Sequence, residues 1–76
     1  MSYFLYINNH KSYPNIKIIN LKSKMNVDAA IKEAKDIIQK IYKDESDVYI
    51  SLFQHKKDKN VEIERYTTHS WKPVTP

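Results

Sequence analysis

A short stretch near the end of the sequence combines side chains that nucleotide-binding sites use. The segment ERYTTHSW holds Arg65, whose guanidinium could grip a phosphate, and the rings of Tyr66 and Trp71, which could stack on a base. With the lysines that could assist it, the candidate phosphate-binding set is Arg65, His69, Lys17, Lys56 and Lys57. One hypothesis is therefore sequestration of a signalling nucleotide, or nucleic-acid binding, through these residues. The competing interpretation is a strand that ends in a polar turn, with Arg65 paired to a nearby carboxylate.

Metal and hydrolytic chemistry find little support in the sequence. His10, His55 and His69 fall at predicted strand ends or in loops, and their spacing matches no metal-ligand pattern. A hydrolase needs a nucleophile with a base or two facing carboxylates, and Ser51 near a strand-end histidine is the nearest approach. The absence of Cys and Gly excludes thiolate zinc sites, P-loops and G-x-S-x-G elbows. We expect no metal, no cofactor and no enzymatic activity.

Length and charge set the broad class of protein. The chain has 76 residues, a net charge of +4 and 41% hydrophobic residues, which is the balance of a single globular domain. No apolar run approaches the roughly 20 residues that span a bilayer, and the first residues lack the basic start and cleavage site of a signal peptide. We therefore expect a cytoplasmic protein without a membrane segment.

One amphipathic helix is predicted over residues 27–43. Apolar side chains recur there at intervals of three and four, as a helix with one buried side requires. Asn26 can cap the first turn, because its side-chain oxygen can accept from a free N–H group. The acidic stretch 44–47 is expected to end the helix.

Two strands are predicted on each side of this helix, at 2–8, 15–22, 47–55 and 61–68. The first is apolar on both faces, which is typical of a central strand. In the second, Ile16 and Ile18 are in phase with each other but out of phase with Ile19 and Leu21, so we expect a β-bulge near Ile18–Ile19. The strands and helix predict one compact domain at 1–68 and a tail at 69–76. The expected core residues are Leu5, Ile7, Ile16, Ile18, Val27, Ile31, Ala34, Ile38, Ile41, Val48, Ile50, Leu52, Val61 and Ile63.

The order β-β-α-β-β predicts an α+β fold, a four-stranded sheet with one amphipathic helix packed on one face. This element order resembles the β-grasp arrangement of the immunoglobulin-binding domains of protein G. The resemblance implies strand order 2-1-4-3, with the first and fourth strands parallel at the centre. The third strand is more apolar than the fourth, however, and this favours the all-antiparallel order 2-1-3-4. Both orders remain open.

The helix can cover only one side of such a sheet. The other side is expected to carry five aromatic side chains, those of Phe4, Tyr6, Tyr49, Phe53 and Tyr66. Among them we expect the polar side chains of Lys17, Ser51, Glu62 and Glu64. A bare patch of this kind is unusual on a monomer. Trp71 and the tail could fold over it, two copies could pack together there, or the rings could anchor a different partner.

The functional expectation is a small non-enzymatic protein that acts by occupying another protein. Its expected partner-binding residues are Phe4, Tyr6, Tyr49, Phe53, Tyr66 and Trp71. The chain is short, lacks Cys and Gly, and takes 34 of its 76 residues from Ile, Lys, Asn and Tyr, whose codons are rich in A and T. In these respects it resembles the small accessory proteins of phages and mobile elements. That resemblance implies an inhibitor of a defence-related host protein, acting in the host cytoplasm.

Overall fold

The chain folds as two antiparallel strand pairs joined through one helix. The computed structural model describes residues 2–9, 15–42 and 48–66. The elements in chain order are β1 (Ser2–Asn9), β2 (Ile16–Asn20), α1 (Val27–Ile41), β3 (Val48–Lys56) and β4 (Lys59–Tyr66). The predicted α+β class and the β-β-α-β-β order are confirmed.

The four strands form one antiparallel sheet in the order β2-β1-β3-β4. The protein G arrangement, with the first and fourth strands side by side, is therefore wrong for this chain. Of the two orders weighed, the all-antiparallel one is confirmed. Val48, Ile50 and Leu52 on β3 are each no more than 1% exposed, and so apolar a strand is stable only at the centre of the sheet.

Helix α1 begins at the predicted cap. The Ala29 N–H donates to Oδ1 of Asn26 at 2.8 Å, which satisfies one of the free donors of the first turn. The helix ends at Ile41, and residue 43, its predicted end, lies outside the described residues. Ile41 is 54% exposed, so its assignment to the core is wrong. Ile41 is the last residue of the helix. The next residue, Tyr42, caps the helix, and its ring is buried in the core instead.

The carboxylate of Glu33 ties α1 to the segment that follows β2. It accepts hydrogen bonds from the backbone N–H of Lys22 and of Ser23, both at 2.8 Å, and from the Ser23 hydroxyl at 2.7 Å. Burial opposes ionisation of this carboxyl, but the three hydrogen bonds outweigh it and hold the pKa of Glu33 below its usual value. This contact fixes where the chain leaves the sheet and enters the helix.

Strand β2 corrects two predictions. It pairs with β1 in one unbroken register, which includes Leu5 opposite Ile19 and Tyr6 opposite Ile18, so the bulge expected near Ile18–Ile19 is absent from this described pair of strands. Ile16 and Ile18, assigned to the core, are 37% and 56% exposed. The strict alternation of a regular strand turns them away from the helix, because Ile19 and Leu21, which are in the opposite phase, face the core.

The register shift lies on β4 instead. Leu52 pairs with Glu64 and Phe53 pairs with Glu62, so Ile63 is the extra residue of a β-bulge. Beyond the bulge the alternation reverses. Glu64 and Tyr66, expected on the uncovered side, therefore lie on the helix side, and Tyr66 is only 3% exposed.

The core lies between α1 and the helix side of the sheet. Its buried hydrophobic members are Tyr3, Leu5, Ile7, Leu21, Ala30, Ala34, Ile38, Tyr42, Val48, Ile50, Leu52 and Tyr66. Five partly buried residues pack against this core: Ile19, Val27, Ile31, Ile37 and Ile63. Val61, which was expected in the core, is also partly buried but lies outside this cluster. Gln54 is the buried polar residue of the described chain, and its amide donates to the Tyr3 hydroxyl at 3.3 Å.

Candidate interaction surface

We call the side of the sheet that faces away from α1 the open face. Because side chains alternate along each strand, the register determines which residues share this face. The open face carries Phe4, Tyr6, Ile16, Ile18, Tyr49, Ser51, Phe53, Glu62 and Arg65, and the same register adds the polar residues Ser2, Asn8, Asn20, His55 and Asn60. Of the aromatic residues predicted for it, Tyr66 alone lies on the opposite side, because the β-bulge at Ile63 reverses the alternation of β4.

The aromatic rings at its centre pack against one another. Phe4 and Phe53 are paired across β1 and β3, and their rings stack with centroids 5.4 Å apart and an interplanar angle of 13°. The Tyr6 ring meets Phe53 edge-on, with a centroid distance of 6.4 Å. Offset stacking and edge contacts are the favourable ring geometries, so these three rings stabilise one another.

The surface continues onto β2 through residues that the sequence prediction missed. Ile16 and Ile18 lie beside Asn8 and Tyr6 in the register and extend the apolar surface to the edge of the sheet. Together with Tyr6 at 37% and Tyr49 at 56%, they are among the most exposed large hydrophobic side chains described. The available signal was the phase of Leu21, which is buried: counting back from it in steps of two excludes Ile16 and Ile18 from the core.

An ion pair closes the other edge of the open face. Arg65 Nε lies 3.0 and 3.1 Å from the two carboxylate oxygens of Glu62. A hydrogen bond from Ser51, then the Arg65 guanidinium, hold the pKa of Glu62 below its usual value against desolvation. A shallow groove of about 310 Å³ runs between this pair and the rings of Tyr6, Tyr49 and Phe53. The formal charges of the pair cancel, so the apolar rings and isoleucines of the open face lie on a surface without net formal charge.

The candidate phosphate-binding residues do not come together. Lys17 pairs with Ile7 and therefore lies on the helix side of β2. Lys56 is five residues along β3 from Ser51, the partner of Arg65, which is about 17 Å in a strand. His69 and Trp71 lie outside the described residues, and their predicted roles stay predictions.

The lysines instead gather at the hairpin between β3 and β4. A concavity of about 840 Å³ there is lined by Ser2, Lys24, His55, Lys56, Lys57, Asp58 and Lys59. Lys57 has a positive φ of 25° at the first of the two central hairpin positions, a place where glycine is usual. The cations at this end outnumber the single carboxylate, so it is the positive end of the sheet.

Metal and membrane features can be assessed for the same residues. Across 2–9, 15–42 and 48–66 no three His, Asp or Glu side chains gather in a way that could hold a metal ion. His55 Nδ1 lies 2.8 Å from Oδ1 of Asn60, its partner across the hairpin. His10 and His69 fall in segments that are not described. The described helix is also neither long nor apolar enough to cross a membrane.

Comparison with known proteins adds no relative. The chain matches no protein-family model, no curated protein and no solved structure.

Proposed function

We propose that this chain is a non-enzymatic binding protein that occupies the surface of another protein with its open face. The supporting observation is that Phe4, Tyr6 and Phe53 form a packed aromatic cluster, with Tyr49 on the same face, on a side of the sheet that no described element covers. Tyr and Phe are favoured anchors at protein interfaces because they bury a large area with few rotatable bonds. The resemblance to small accessory proteins of phages and mobile elements suggests an inhibitor of a defence-related host protein.

Charge favours a protein partner over a polyanion at this face. The whole chain carries +4, yet the formal charges on the described open face are Glu62 and Arg65, which neutralise each other. A nucleic-acid surface places cations around its stacking rings to hold phosphates. The open face lacks that arrangement, and its neutral apolar centre with a small polar rim is the composition of a protein interface.

Photo-crosslinking offers a test that does not require the partner in advance. A photoreactive phenylalanine at position 49 would report contacts of the open face, and the same group at Lys32 on the exposed side of α1 would serve as control. We expect position 49, and not position 32, to crosslink one host protein. That protein, once purified, should bind the wild-type chain and lose binding to Tyr49→Ala. Equal crosslinking at both positions, or unchanged binding of Tyr49→Ala, would overturn the proposal.

A second candidate function uses the lysine-lined concavity at the β3–β4 hairpin. Four lysines and a single aspartate line it, which is the charge balance that attracts phosphate groups. Sequestration of a nucleotide, or nucleic-acid binding, would then occur at the hairpin rather than at Arg65. Lys56→Glu should abolish such binding, whereas Lys32→Glu, on α1, should not. If both variants still bind the phosphate ligand, this function is excluded.

A further inference from the structure

We infer that the edge of β2 that no described strand covers is a strand-addition site, which accepts an extended, acidic segment of the partner protein. The inference rests on the proposed function, because it describes how the partner of the open face is held. Area gives the first reason. Four strands about 4.8 Å apart and about seven residues long present roughly 450 Å² on one side. A stable interface buries about 800 Å² of accessible surface per partner, and a strand added along β2 would extend the contact beyond the edge of the open face.

Two backbone hydrogen bonds fix which groups of β2 are already used. The Leu21 N–H donates to the Tyr3 carbonyl at 2.9 Å, and the Asn9 N–H donates to the Asn15 carbonyl at 2.7 Å. They lie just beyond the two ends of the β1–β2 register and mark the narrow, hydrogen-bonded pairs of the ladder. In an antiparallel pair every second residue is of this kind.

The alternation then leaves one set of backbone groups pointing out of the sheet. Lys17 and Ile19 bond to β1, so the N–H and C=O groups of Ile16, Ile18 and Asn20 point away from it. No described strand lies on that side, because β2 is the first strand of the sheet order. An extended segment laid along this edge would find alternate donors and acceptors already in register.

The same residues join this edge to the open face. Ile16 and Ile18 have their side chains on the open face, so a residue paired with either would place its own side chain beside them. An added strand would therefore widen the apolar surface that begins at Tyr6. Edge and open face form one continuous binding surface rather than two separate sites.

The opposite edge of the sheet is protected against the same event. Strand β4 carries the bulge at Ile63, which interrupts a regular ladder. The Glu62–Arg65 ion pair and Lys59 add charge along it. Bulges and charged side chains are the usual protection of an edge strand, and β2 lacks the bulge and has one lysine.

Charge selects the kind of strand. Residues 15–26 include Lys17, Lys22 and Lys24 and no acidic residue. Lys17 is exposed on the helix side of β2, so it would lie beside the side chains that an added strand places on the helix side of the sheet. A second copy of the chain would bring these lysines together, and like charges on neighbouring strands repel. The segment that fits alternates β-branched apolar residues with Asp or Glu.

A synthetic strand can test this directly. The probe is an end-capped peptide of about seven residues that alternates Val with Glu, and its control has Lys in place of Glu. In the wild-type protein, amide exchange followed by NMR should slow by at least about 10-fold at Ile16, Ile18 and Asn20 when the Glu peptide is added. The amides of Lys17 and Ile19 should be protected before any addition. Equal protection by the Lys peptide would overturn the acidic assignment.

Proline supplies the matching variant. Ile18→Pro removes an outward N–H that makes no bond to β1, so it should abolish peptide binding and leave Ile19 protected. Ile18→Val keeps the N–H and should bind as the wild type does. The same amides could also become protected without peptide as the protein concentration rises. That result would make a second copy the occupant of the edge and would overturn the inference. Absence of amide protection with the Glu peptide overturns it too, whereas the proposed function fails separately if the purified partner ignores Tyr49→Ala.

Discussion

Phe53 stacks on Phe4 across the central strands, with ring centroids 5.4 Å apart. It also receives the edge of the Tyr6 ring at 6.4 Å. Phe53 therefore lies on the open face and also helps to keep β1 and β3 in register. Tyr49, on the same strand and the same face, is 56% exposed.

This difference predicts unequal costs of truncation. Phe53→Ala removes two ring contacts and should lower the free energy of unfolding by about 2 kcal/mol. Tyr49→Ala removes a mostly exposed side chain and should cost less than about 0.5 kcal/mol. Urea unfolding of both variants measures the difference. Equal losses would mean that the ring cluster does not stabilise the sheet, and Tyr49→Ala is the cleaner variant for binding experiments.

The bulge on β4 puts Tyr66 on the helix side of the sheet, where its phenol is expected to titrate at an unusually high pH. Burial, followed by the neighbouring Glu64 carboxylate, raises the pKa of Tyr66 from 10.0 to about 12. Because the folded state favours the neutral phenol, its contribution to stability is complete below pH 10 and is lost as the pH rises towards 12. An ultraviolet titration of wild type minus Tyr66→Phe isolates this group among the six tyrosines. Glu64→Gln should lower the pKa of Tyr66, and a difference spectrum that titrates near 10 would place Tyr66 on the exposed side.

Glu33 predicts a loss of stability on the acid side. Hydrogen bonds to a charged group contribute about 1.5–3 kcal/mol, so Glu33→Gln should destabilise the protein by about 2 kcal/mol at neutral pH. The folded pKa of Glu33 lies below 4.5, so the contribution is complete above that pH and disappears as the pH falls through the lowered folded value. The difference in the free energy of unfolding between wild type and Glu33→Gln should therefore become smaller as the pH falls below 4.5. Asp36→Asn, which removes an exposed partner of Lys40, is the control and should cost less than about 0.5 kcal/mol.

Local patterns were enough to predict most of this fold. The helix follows from its apolar spacing and the Asn26 cap, and the central position of β3 follows from Val48, Ile50 and Leu52. Each depends on residues close together in the chain, whose side of the element is fixed by the 3.6-residue or 2-residue period.

The errors arose where pairing between distant strands decides the phase. Ile16 and Ile18 have the pattern of buried strand residues, and the phase of Leu21 competes with that pattern; the unbroken register with β1 follows Leu21 and turns them outward. The bulge at Ile63 is set by the match of β4 to β3, and no turn or glycine in the sequence marks it. These same two events define the candidate surface, because one adds the isoleucines to the open face and the other removes Tyr66 from it.

Arg65 separates the two candidate functions. In the folded chain its guanidinium is held by Glu62 on an exposed surface, so Arg65→Ala should change the free energy of unfolding by less than about 1 kcal/mol. If the partner is a protein held by the aromatic cluster, Tyr49→Ala should weaken binding far more than Arg65→Ala, and added salt should have a small effect. If the ligand is a nucleotide or nucleic acid gripped by Arg65, the order of the two variants should reverse and affinity should fall steeply with salt. Titrations of wild type, Tyr49→Ala and Arg65→Ala at low and high salt distinguish these outcomes. A steep salt dependence that neither variant alters would instead locate the ligand at the hairpin lysines, because those cations lie about 17 Å along the sheet from Arg65.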